Sequence, residues 1–258
     1  MQVHILALET STSVCGVALL SQQGETTQLY VRRHEGSSEH AEFLLPMVEE
    51  VLAEAGVKRH EISAIAFGQG PGGFTGLRVA CGVAQGLAFA LDCPVVPIPS
   101  LLAVAEALEK VPGQLEVVAI DARMQELYVA AYLYEETRKN WHRCYNSLLI
   151  DVQVLPDWLM YIRNQENEAG TIRVSGDAIA AFPELVATLQ NMSSVQLTEA
   201  SKPDVEAIAH LGLQAYLSGE GIAPELAAPS YVRDKVAFTT AEREQGLGGN
   251  PAAVWRPE

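Results

Sequence analysis

Apolar residues come in short blocks along the first hundred positions. Positions 3–8, 14–20 and about 26–32 read as three strands, with Gln22-Gln23-Gly24 turning the second into the third. Ser37 or Ser38 is placed to cap a helix over about 39–55. There Leu44, Leu45, Val48, Val51, Leu52 and Ala55 form a wide apolar stripe, and Met47 extends it. Glu42, Glu49, Glu50 and Glu54 mark the wet side, Pro46 is expected to kink the helix or loosen its first turns, and Gly56 stops it. The run 62–91 follows: a strand, a loop with glycines at 68, 70, 72, 73 and 76, and a helix over 75–91. A strand at 94–98 and a helix at about 101–108 complete this part.

The 75–91 helix has almost no polar face. A wheel puts Val79, Val83, Leu87 and Leu91 on one side. Arg78, Cys81, Gly82, Gln85 and Phe89 lie opposite, with Ala80, Ala84 and Ala88 on a flank. A surface helix needs a charged outer face, and one that is apolar nearly all round is buried. Two readings stay open: a central core helix, or a helix whose second face is covered by another chain. The glycine loop admits two readings as well. Glycines before a helix can bind phosphate through free N–H groups. Yet no Gly-Lys-Ser/Thr is present, and Asp92 precedes the next apolar run, where a dinucleotide site needs an acid after it. The structural reading of the loop is preferred.

A second lobe starts near position 107. A strand at 117–120 ends in Asp121, a short polar turn follows, and 127–134 is the next strand. Glu9 ends the first strand of the chain in the same way. A strand at about 145–155, a helix at 156–163 and a strand-to-turn at 174–177 follow. The expected division is a first lobe over 1–106, a second over 107–202, and an extended segment with a flexible tail over 220–258. A helix at about 203–219 is expected to pack back on the first lobe. Pro229-Ser230-Tyr231-Val232-Arg233 is a short extended motif, and no role is assigned to Trp255 in the tail.

Composition narrows the function. The 258 residues are 48% hydrophobic and carry a net charge of -15, so tight direct binding of nucleic acid by this chain is not expected. Cys15, Cys81, Cys93 and Cys144 form no CxxC and read as reduced, mostly buried thiols. With no basic leader and no clear membrane span, a cytoplasmic protein is expected. The six histidines form no His-x-x-x-His or His-Glu-x-x-His, and there is no Gly-x-Ser-x-Gly. No metal site and no catalytic residue is therefore assigned. Glu9 and Asp121 could be paired carboxylates for acid–base work. The preferred reading is that each is hydrogen-bonded to its own hairpin. Thr10-Ser11-Thr12 and Ala122-Arg123 stand where nucleotide-binding hairpins need glycine.

Two hairpins of this kind, one per lobe and facing a cleft, resemble the actin, sugar-kinase and chaperone ATPase superfamily. The fold class implied is α/β, two lobes of mixed sheet plus helices, with actin-like ATPase (ribonuclease H-like) architecture. The finer likeness lies in Ile5-Leu6-Ala7-Leu8-Glu9-Thr10-Ser11-Thr12, Gly70-Pro71-Gly72-Gly73-Phe74-Thr75-Gly76-Leu77-Arg78, Ala84-Gln85-Gly86-Leu87-Ala88, Ile120-Asp121-Ala122-Arg123 and Pro229-x-Tyr231-x-Arg233. These pieces resemble the bacterial TsaB family, also called YeaZ, a degenerate branch of that superfamily. Glu9 departs from it, since many relatives are expected to hold Asp there. The resemblance implies a non-catalytic subunit of the machinery that adds threonylcarbamoyl to the adenosine beside the anticodon of certain tRNAs. It implies pairing with TsaD, which carries the metal and does the transfer, recruitment of the ATPase TsaE, and a homodimer when the chain is alone. The implied surface is built from the 39–55 and 75–91 helices, with His40, Phe43, Met47, Arg78, Cys81, Gly82, Gln85 and Phe89 as contacts. Glu9, Ser11, Thr12, Asp121 and Arg123 are the cleft-hairpin residues. No cofactor is expected on the chain alone. ADP or ATP held in the assembled complex, partly by Ser11, Thr12 or Arg78, stays open. The alternative function is a residual nucleotide-binding ATPase or a peptidase-like enzyme of the same superfamily.

Overall fold

The computed structural model describes residues 2–36, 39–165, 170–198 and 201–233. The chain divides into two units, Met1–Ala107 with Pro203–Ser230, and Leu108–Lys202 with Tyr231–Glu258.

The first unit is built on β1 (Gln2–Glu9), β2 (Val14–Gln23), β3 (Thr26–Glu35), β4 (Ala64–Gly70) and β5 (Val95–Pro99). Their order is β3-β2-β1-β4-β5; the first three strands are antiparallel, and β4 and β5 run parallel to β1. Helices cover both faces of the centre, which is why β1 and β4 read as continuous apolar runs rather than alternating ones. Helices α1 (His40–Ala55) and α2 (Phe74–Leu91) share a core with Leu6, Leu8, Val17, Leu19, Ile65 and Phe67. On the other face lie α3 (Ser100–Ala107) and α7 (Val205–Leu217). A Cβ on Gly212 of α7 would come within 2.5 Å of the Ala66 side chain, so glycine there permits close helix–sheet packing.

Three local expectations change. β3 runs on to Glu35. Ser37 and Ser38 lie outside the described residues, and Glu39, in the N-cap position of α1, makes no side-chain cap bond. Helix α1 continues through Pro46, which sits on its exposed side, where water can take the carbonyl that proline leaves free.

The second unit repeats the sheet. It holds β6 (Leu115–Asp121), β7 (Glu126–Glu135), β8 (Asn140–Asp151), β9 (Ile172–Ser175) and β10 (Val195–Leu197), in the order β10-β9-β6-β7-β8. Numbered within each unit, both sheets read 3-2-1-4-5, the ribonuclease H-like order that defines the actin-like ATPase fold. α4 (Leu155–Gln165), the single turn α5 (Ala178–Ala181) and α6 (Pro183–Gln190) supply the core on one face, with Trp158, Leu159, Ile162, Leu185 and Leu189 packed on Val117, Ala119, Val129 and Val174. β8 starts five residues before the expected strand and ends at Asp151, where a 3-10 turn (Val152–Val154) leads into α4.

Glu116 and Arg173 face each other on β6 and β9 as a buried ion pair at 3.4 Å. Arg173 also donates to the carbonyl of Glu109 at 2.8 Å. Burial pushes the Glu116 carboxyl up to about 7, against a hydrogen bond from Ser175 and the charge of Arg173. The folded chain thus holds a proton that the unfolded chain releases above its ordinary value of 4.5. The stability contributed by this group falls as pH rises through that window to about 7. Urea unfolding across it is expected to show the fall, and Glu116→Gln is expected to flatten it. An equally steep fall in the variant contradicts the assignment.

Candidate functional site

Helix α2 is the first candidate. Its 18 residues have a mean hydropathy of 1.4, enough by length and composition to cross a membrane, yet only 33% of them are buried. The buried stripe is Gly76, Leu77, Ala80, Cys81, Ala84 and Ala88. This corrects the wheel: the alanine flank faces the sheet, because small side chains let the helix backbone approach β4 closely. Val79, Val83 and Leu87 are only half-buried, while Arg78, Gly82, Gly86, Phe89 and Ala90 are exposed. Phe89 is 78% exposed, and Leu45 of α1 is 47% exposed.

The glycines separate into two kinds. A Cβ on Gly82 or Gly86 would meet nothing within 4 Å. Glycine in a helix costs about 1 kcal/mol relative to alanine, and nothing in this chain requires it at these two positions. A Cβ on Gly76 would lie 1.8 Å from the carbonyl oxygen of Thr10, and one on Gly72 would lie 2.6 Å from the Ser11 Cβ. A Cβ on Gly68 would lie 1.9 Å from a Glu9 carboxyl oxygen. These three let the loop close on the first hairpin. Gly73 N–H donates to the Ser11 carbonyl at 2.7 Å, and the Thr10 hydroxyl donates to the Gly76 carbonyl at 2.7 Å. The glycine loop is therefore a close-packing device against residues 9–11.

The expected contact residues fall in different places. His40, Met47 and Cys81 are buried inside the first unit. His40 fixes the hairpin, its Nε2 lying 2.9 Å from the Thr12 carbonyl, so that nitrogen carries the proton. Phe43 does not project into solvent but stacks on His34 at 3.7 Å. Gln85 donates to the Pro224 carbonyl at 3.0 Å and ties the 3-10 turn Pro224–Leu226 to α2. Arg78 lies over its neighbour Phe74 at 3.6 Å. Gly82 and Phe89 stand on the outer face.

The first hairpin holds Glu9, fully enclosed. The Ser11 N–H donates to its Oε1, while Oε2 has no hydrogen-bond partner. Burial raises the carboxyl above its ordinary range, opposed by hydrogen bonds from Ser11. Thr12 turns its hydroxyl to the Val14 N–H at 3.1 Å. Cys15 beside it is pushed up to about 11 by burial and by the Glu9 charge, so its thiol is inert.

In the second hairpin Asp121 accepts from the Arg123 N–H at 2.8 Å and pairs with its guanidinium at 3.1 Å. Each acid thus bonds to its own hairpin. Arg123, Met124 and Gln125 all have positive φ, of 64°, 58° and 60°. Each costs roughly 1–2 kcal/mol in a residue with a side chain. The turn is held from outside. Arg233 donates to the Ala122 carbonyl at 2.8 Å and pairs with the buried Glu126 carboxylate. Asp177 accepts from the Asp121 N–H at 2.9 Å. The sequence reading missed Glu126 and Asp177 as supports; the Pro-x-Tyr-x-Arg motif was the available signal for the partner, Arg233. Among the described residues no three His, Cys, Asp or Glu side chains gather as a metal ion would need.

Comparison with known proteins adds the family. Residues 33–240 match the family model described as TsaD: tRNA N6-adenosine threonylcarbamoyltransferase. The chain is 35% identical over 91% of its length, and 95% of the relative's, to the tRNA threonylcarbamoyladenosine biosynthesis protein TsaB of Haemophilus influenzae. The Escherichia coli protein of the same name is 30% identical over 91% of this chain and 96% of its own. Among solved structures, YeaZ from Pseudomonas aeruginosa is 33% identical with a TM-score of 0.73, covering 89% of this chain and 99% of that one.

Proposed function

The chain belongs to the TsaB family of tRNA threonylcarbamoyladenosine biosynthesis proteins, and from that premise we propose that it is a non-catalytic scaffold subunit. It pairs with the threonylcarbamoyltransferase TsaD through α1 and α2, forms a homodimer through the same face when alone, and serves an assembly that includes TsaE. The transferase does the chemistry and meets the tRNA; this acidic chain stabilises it.

The observation that carries the proposal is the outer face of α2. An apolar helix that leaves Phe89 and Ala90 exposed, with two exposed glycines that no neighbour in the chain requires, fits close approach by a second helix. The match to a family model described by the transferase supports a partner of like fold. The hairpins support the non-catalytic part. Residues 9–11 are packed against the glycine loop, and Glu9 and Asp121 are engaged with their own turns.

Reconstituted tRNA threonylcarbamoylation tests this. Omitting the chain is expected to lower the rate at least tenfold. Glu9→Gln and Asp121→Asn are expected to support the reaction within about twofold of the unaltered chain. Loss of activity in these variants, with association intact, would move the chain into the enzyme class.

A further inference from the structure

Charge is divided unevenly between the two units. The described residues of the first hold five Lys and Arg against fifteen Asp and Glu, and those of the second hold nine against ten. Three of the nine, Arg138, Lys139 and Arg143, lie within six residues at the end of the β7–β8 hairpin, and His142 stands among them. All four are exposed. The hairpin sets Tyr134 opposite Trp141 and Tyr132 opposite Arg143, so these four share one face of the sheet. Trp141 meets Tyr134 edge-on at 5.2 Å and Tyr132 at 6.4 Å. Lys110 lies over the Tyr134 ring at 5.9 Å. Of the two nearby acids, Glu136 sits in the turn, and Glu135 is on the opposite face, where it pairs with Arg138 at 3.5 Å.

β8 is an edge strand, and charges on an edge block pairing with other chains. That accounts for cations at the hairpin end, but it calls for no indole set against two tyrosines and only half-buried. We propose that this end of the hairpin is a platform for single-stranded RNA. Trp141 stacks a base, and Arg143, Lys139 and Lys110 take the flanking phosphates. Aromatic rings beside cations suit unpaired RNA, because every base has a face to stack and every phosphate attracts a cation. An acidic protein would use the cations alone and leave Trp141 without a part. With few cations on a chain of net charge -15, the contact is weak by itself. It counts once the chain is held beside an RNA-binding partner, where tethering raises the local concentration to the mM range. The proposal rests on the scaffold reading for that partner, and adds to it a direct contact between this chain and the RNA.

Fluorescence anisotropy of a short labelled single-stranded RNA with the full chain at low salt tests this. Trp141→Ala is expected to weaken binding at least ~5-fold, the loss of one stacked base. Arg143→Glu should weaken it at least ~10-fold and reduce the salt dependence by about one phosphate. Arg163→Glu, on α4 at the other face of the sheet, should change neither. Urea unfolding checks that each variant folds; if Trp141→Ala does not, Trp141→Leu, which keeps an apolar contact with the tyrosines, decides. No binding by the unaltered chain, or equal binding by the Trp141 variant, overturns the proposal. So does loss in Arg143→Glu alone, which would assign the hairpin to polyanions in general, acidic proteins included. In reconstituted threonylcarbamoylation the two platform variants should raise KM for tRNA at least ~5-fold with kcat unchanged. Light scattering with TsaD separates the two readings: the variants should pair as the unaltered chain does. Failure of the unaltered chain to pair would end the scaffold reading and leave the RNA measurement standing.

Discussion

Gly82→Arg is expected to abolish association while leaving the folded chain intact. The position is exposed on α2, and a side chain there meets nothing within 4 Å. Replacing a helical glycine by arginine should stabilise the isolated fold by up to about 1 kcal/mol. In the proposed interface the same side chain stands where a second helix must approach, and adds a charge that the contact would have to desolvate. Affinity should fall at least ~100-fold, about 2.7 kcal/mol. Light scattering at micromolar concentration reads the association. Urea unfolding, at a dilution where both proteins are monomeric, reads the fold. Normal association by Gly82→Arg would remove α2 from the interface, whereas a large loss of stability would mean that the position is core.

Gly76→Ala is expected to do the opposite. Its Cβ would sit 1.8 Å from the Thr10 carbonyl oxygen, a backbone atom held between β1 and β2. Relief requires α2 or the hairpin to shift, and the Thr10 hydroxyl bond to Gly76 goes with it. The loss should be at least ~3 kcal/mol in urea unfolding. Gly86→Ala on the same helix is the control, expected to gain about 1 kcal/mol. If the two alanine variants prove equally stable, the tight seat of the glycine loop on residues 9–11 is wrong.

Much of the fold was legible because its central strands are buried on both faces and appear as bare apolar runs. Residues 5–8, 64–67 and 117–120 needed no partner information to be recognised. The repeat of strand, acid and turn at Glu9 and Asp121 pointed to two related sheets. The wheel of α2 misled because hydropathy ranks valine and leucine above alanine. Packing on β4 instead selected Ala80, Ala84 and Ala88 for their size. His40 and Phe43 looked like surface residues because their partners, Thr12 and His34, come from a hairpin and an edge strand. Segments as short as α5 and β10 carry too few residues to establish a period. The clamp of Arg233 on Glu126 joins positions 107 apart, beyond any local pattern.

The most direct test of the scaffold claim is size-exclusion chromatography with light scattering, on the chain alone and mixed with TsaD from the same cell. A homodimer that converts to a one-to-one heterodimer is the predicted result. A monomer whose elution is unchanged by TsaD would contradict it.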